Sequence, residues 1–210
     1  MKTDELIAHL ASCAAPVQPL SSPAVRALAW SAVAVASAAA GIVIFGARPD
    51  LGVVLSEPTF MWPLVAAIVM AAVAASASLV LAVPGSERSP ALRGSSVTLG
   101  ALWALMLVVF VIRAGHGFAG ASHWPICFIR AIAVGLAPGI VLFGMLRRAA
   151  PLRITWTSAL AATAAIAAGA MAAQISCPID DAAHALLGHF GPVLVLGLLG
   201  AATARRMLRS

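Results

Sequence analysis

Residues 61–83 read MWPLVAAIVMAAVAASASLVLAV, an apolar run without one charged side chain. A bilayer core about 30 Å thick is crossed by about 20 apolar residues in a helix. The run shows neither the alternation of a half-buried strand nor the single stripe of a soluble helix, so every face is apolar. Runs of similar length and character surround it at Ala27–Ala47, Ser95–Ile112, Cys127–Leu146, Thr155–Ala173 and Ala182–Ala204. The expected fold is therefore an all-α integral membrane protein, a bundle of six transmembrane helices.

Hydrophobic residues make up 62% of the 210 and charged residues only 10%, which leaves no room for a separate soluble domain. The longest segment outside the spans is the N-terminal tail, residues 1–24, followed by a transmembrane domain, residues 25–210. A net charge of +6 matches a nucleic-acid binder in size but not in placement. With the N-terminus assigned to the cytoplasm, Lys2, Arg26, Arg88, Arg93, Arg147, Arg148, Arg153, Arg205, Arg206 and Arg209 share its side. Arg48, Arg113 and Arg130 face outward. This bias places both termini in the cytoplasm and the basic ends beside anionic lipid. The lipid bilayer is the expected partner, with no direct nucleic-acid contact. The first span is too long for a cleaved signal sequence and is read as retained.

The tail opens with Thr3, Asp4 and Glu5, a helix-starting pattern with acidic groups where the helix dipole favours them. Leu6, Ile7 and Leu10 then share one face. Pro16, Pro19 and Pro23 keep the following stretch extended, and Ser22–Pro23 forms a cap and first-turn pair for the first span. An apolar stripe of this kind suits either lipid or a partner groove. Within the spans, Gly135 and Gly139, and Ala165, Gly169 and Ala173, recur every four residues and permit close helix approach. Pro138 and Pro192 are expected to bend their spans.

Chemistry-bearing residues gather on the outer side. The third connection holds Arg113, His116, His123 and Cys127, with Arg130 one turn onward. The fifth holds Cys177, Asp180, Asp181 and His184, with His189 further along the last span. Cys127 and Cys177 suit a disulfide, a switchable thiol pair or part of a metal site. A disulfide needs Cα atoms within about 7 Å. Arg130 is placed either to stabilise the Cys127 thiolate or to pair with Asp180 or Asp181. Asp180 and Asp181 are each expected to share a helix face with His184. His189, five residues beyond His184, falls about 140° around an α-helix, so these histidines form no i,i+4 chelate. No permanent metal site and no cofactor follow from this spacing. Transient binding of a thiophilic metal by Cys127, Cys177 and His184 remains open.

No phosphate loop, serine-nucleophile motif, HExxH or CxxC pair is present, so no enzyme is expected. Spans with almost no polar or ionisable groups near mid-membrane argue against a transporter. A bis-histidine haem site would need two of His116, His123 and His189 to face each other at matched depth, which their spacing does not establish.

The opening MKTDELIAHL, the six spans and the segment carrying Cys177, Pro178, Asp180, His184, His189, Gly191 and Pro192 resemble the NrsF-type anti-sigma factors. Gly188 stands where that pattern suggests tryptophan. The resemblance implies a negative regulator in the bacterial inner membrane whose cytoplasmic N-terminal segment, including Asp4, Glu5, Leu6, Ile7 and Leu10, holds a sigma-F-like extracytoplasmic-function sigma factor. It also implies that two periplasm-side cysteines, Cys127 and Cys177 by position, act in the response to metal or oxidative stress. Arg130, Asp180, Asp181, His184 and His189 form the expected surroundings of that sensor. The other reading is a periplasm-facing redox or metal-handling membrane protein without a sigma-factor partner.

Overall fold

The computed structural model describes residues 3–13, 19–86, 90–114, 123–149 and 151–208; Lys2, Arg88, His116 and Arg209 lie outside them. The helices are α1 (Thr3–Ser12), α2 (Pro23–Phe45), α3 (Leu51–Val54), α4 (Pro58–Leu81), α5 (Pro90–Ala114), α6 (Trp124–Ala149), α7 (Ile154–Ser176), α8 (Ala182–His184) and α9 (Gly191–Leu208). A π-helical segment, Ala185–Phe190, joins α8 to α9.

Among the described residues, five segments are long and apolar enough to cross a bilayer: Pro23–Phe45, Pro58–Leu81, Trp124–Ala149, Ile154–Ser176 and Ala182–Arg206. The remaining expected span coincides with α5, which carries the apolar stretch Val97–Arg113. Large apolar side chains such as Leu28, Val43, Ile44, Ile112, Ile140 and Leu198 point away from the protein interior. An outward apolar surface of that extent fits a multi-pass membrane protein, for which lipid is the solvent.

α7 is the hub, packed against α2, α4, α6 and α9. Its buried face is mostly alanine with Gly169, so neighbouring backbones approach closely. A Cβ at Gly169 would run into the Ala131 carbonyl of α6, and one at Gly135 would lie 2.9 Å from the Ala165 carbonyl. The two small-residue rows read from the sequence therefore meet one another.

Pro138 supplies no N–H to the Val134 carbonyl four residues earlier. Ser37 of α2 fills that vacancy, its Oγ donating to Val134 O at 2.7 Å. Trp30 of α2 donates through Nε1 to Pro138 O at 2.9 Å. These bonds fix α2 against the proline-containing stretch of α6.

At the start of α2, Ser22 Oγ accepts from the Val25 N–H, with Pro23 in the first turn. α1 has no buried residue. At the end of α2, Gly46 turns the chain with φ +81°, and the following loop delivers Arg48 to the end of α7, where its N–H donates to Ile175 O at 3.1 Å.

Candidate thiol and imidazole sensor site

Cys127 lies in the first turn of α6 and Cys177 directly follows α7, so both sulfurs sit at the same end of the bundle. Both are buried free thiols, with Cys127 Sγ donating to Cys177 Sγ at 3.5 Å. Cys177 follows the end of α7, and its pKa is held below that of an ordinary thiol. The hydrogen bond from Cys127 is the main cause, acting against burial.

His184 brings Nε2 to 3.3 Å from Cys177 Sγ. His189 donates through Nδ1 to Gln174 Oε1 at 2.6 Å, which fixes the tautomer and leaves Nε2 with its lone pair. The imidazole rings meet edge to face, with centroids 5.4 Å apart. One ligand atom from each of Cys127, Cys177, His184 and His189 lies within 4.8 Å of all the others.

This geometry corrects the expected separation of the histidines. The 140° offset assumed an uninterrupted α-helix, but Ala185–Phe190 is π-helical. Its i→i+5 register brings residues five apart onto one side. Pro192 explains the wider turn: it has no N–H for the Gly188 carbonyl, and its ring would crowd that oxygen in an α-helix. Gly188 is equally specific to the arrangement. A Cβ there would lie 3.2 Å from both Cys127 Cβ and Trp124 O, so glycine lets the π-helical turn rest on α6. Stacking of Phe190 on Phe110, at 5.4 Å between centroids, ties the same turn to α5.

The expected roles of the acidic and basic residues also change. Asp181 precedes α8 and caps it, its Oδ1 accepting from the His184 backbone N–H at 2.8 Å. It positions His184 from the helix end instead of sharing a face with its ring. Asp180 pairs with Arg48, not with Arg130. Arg130 instead places its guanidinium over the Phe45 ring, 5.0 Å from the centroid. Helical direction explains the difference, since Arg130 projects toward α2 while Asp180 lies in the loop beyond α7. His123 is exposed and does not join the cluster.

Arg48 and Gln174 complete the site and were not singled out in the sequence. Arg48 Nε and Nη2 donate to the two Asp50 oxygens, at 2.7 and 2.8 Å. Nη1 and Nη2 donate to the two Asp180 oxygens, both at 2.7 Å. These bonds, first that with Asp180, raise the Arg48 pKa, so it stays charged although its side chain is only 1% exposed. Gln174 was legible as the lone amide in an otherwise apolar span, a residue type that needs a partner in the membrane.

The long apolar helices fit a multi-pass membrane protein, and it carries a buried thiol–imidazole cluster at one end of the bundle. The family model described as NrsF, negative regulator of sigma F, matches residues 10–209. The chain belongs to this family, whose name makes it a negative regulator with a sigma factor as its partner. Neither the curated proteins nor the solved structures contain a match to it.

Proposed function

We propose that the protein is an anti-sigma factor of the bacterial inner membrane, with both termini cytoplasmic. Its tail, residues 1–24, sequesters an extracytoplasmic-function sigma factor, and its transmembrane domain, residues 25–210, releases that factor when Cys127 and Cys177 respond to metal or oxidative stress. The observation that carries the tail assignment is the free apolar stripe of α1. Leu6, Ile7 and Leu10 are 40%, 59% and 61% exposed, with Asp4 and Glu5 in the first turn. An amphipathic helix of this kind fits a hydrophobic groove, and its acidic start complements a basic rim. The family match begins at Leu10, so the rest of the stripe precedes the matched region. Confinement of both partners at one membrane surface raises their effective concentration and lets a short helix suffice.

A change at the thiols favours one of two arrangements where α6, α7 and the π-helical turn meet. Arg48 bonds to the loop after α7 and to Ile175 O, while the opposite end of α2 leads into the tail. α2 is thus a continuous helix between the sensing end and the sigma-binding segment. Leu6→Asp or Leu10→Asp abolishes repression of a sigma-dependent reporter while insertion into the membrane is retained. Full repression by both inserted variants contradicts the assignment.

A further inference from the structure

We propose that Cys127, Cys177, His184 and His189 form a Cys2His2 site for one thiophilic divalent d10 cation of the Zn2+ or Cd2+ type. The inference rests on the reading of the cysteines as the sensor and supplies its ligand class and its missing residues. All four side chains are buried, with His184 and His189 0% and 1% exposed. Bond lengths of about 2.3 Å to sulfur and about 2.0 Å to nitrogen place the corners of a tetrahedral zinc site about 3.3–3.8 Å apart. The 3.5 Å sulfur pair and the 3.3 Å contact of Cys177 with His184 lie in that range.

Two further observations select a cation over a thiol pair alone. His189 Nε2 is buried without a hydrogen-bond partner, which is costly unless something else satisfies it. A Cys127–Cys177 disulfide would consume both sulfurs and leave that nitrogen as it is. A metal ion takes up the His189 nitrogen directly. Gln174 performs the orienting task that metal-bound histidines require, holding Nδ1 so that Nε2 presents its lone pair.

Charge and access agree. Binding M2+ displaces to solvent whatever protons the four ligand atoms carry and leaves two thiolates, two neutral imidazoles and the dication. The complex is uncharged, as a buried site favours, and no electrons are exchanged. A recess of about 60 Å³ is lined by Gln174, the partner of His189, together with Asp180, Asp181 and Arg113.

The test uses full-length protein in detergent micelles without a sigma factor, titrated with Cd2+ against a competing chelator. One Cd2+ binds per chain, with thiolate-to-cadmium charge-transfer absorption that Cys127→Ser or Cys177→Ser lowers and the double variant abolishes. Gln174→Leu keeps all four ligands and weakens binding about 10- to 100-fold; His184→Gln and His189→Gln weaken it at least as much. X-ray absorption on wild-type protein loaded with Zn2+ needs no variant and shows two sulfur and two imidazole nitrogen neighbours. No stoichiometric binding, a shell without imidazole, or wild-type affinity in both histidine variants overturns the proposal. Sigma-factor capture is not measured here, so its failure leaves the tail's role to its own test.

Discussion

Arg48 grips both carboxylate oxygens of Asp180 at 2.7 Å, across 132 residues of sequence. The fork matches a carboxylate in a way lysine cannot. It joins the end of α2 to the loop that carries Cys177 into α8. Arg48→Ala releases that loop and costs about 1–3 kcal/mol of stability, below a fully buried pair because Asp180 and Asp50 are more than half exposed or nearly so. The measurable outcome is faster alkylation of Cys177 in membranes by a thiol reagent, with Arg48→Lys in between. An unchanged rate contradicts the coupling.

The same clamp has a defined pH response. The hydrogen bond from Arg48 holds the Asp50 carboxyl below its ordinary value of 3.8. Its contribution is therefore complete above about pH 4 and is lost as pH falls through the lower folded value. Thermal unfolding in detergent should be insensitive to Asp50→Asn below that window and show the substitution's cost above it. Equal costs on both sides would contradict the assignment.

Cys127 and Cys177 act as a pair in this account. Cys127→Ser or Cys177→Ser leaves repression intact and blocks induction by the stress that releases the sigma factor. A reporter assay in cells checks both results. Normal induction in both single variants would remove the cysteines from the sensing step.

The contact of α6 with α7 is set by small residues. Gly169→Val drives a side chain into the Ala131 carbonyl, and overpacking of this kind costs about 1–3 kcal/mol. Gly144→Ala, where a Cβ meets no neighbour within 4 Å, serves as the control. Thermal unfolding in detergent should fall for the first and hold for the second.

The bundle was readable because lipid imposes a simple rule, long runs without charge, and the glycine and alanine rows stated where helices could touch. The capping pair Ser22–Pro23 and the exposed stripe of α1 were equally local signals. The arrangement of the site was not local. His184 and His189 looked misaligned because helical spacing was counted at 100° per residue, whereas Pro192 and Gly188 favour a π-helical turn. Arg48 looked like one outward charge among several, since its partner Asp180 lies five helices away. Gln174 carried a signal that goes with its chemistry, a single amide in an apolar span, and its distance from His189 hid the connection.

The central claim is that the N-terminal segment captures a sigma factor at the membrane. It is tested most directly by co-purifying the protein from membranes with its candidate sigma factor, comparing the full chain with one lacking residues 1–15. The account predicts stoichiometric capture by the full chain and none by the shortened one, both correctly inserted. Equal capture by the two, or none by the full chain, would contradict it.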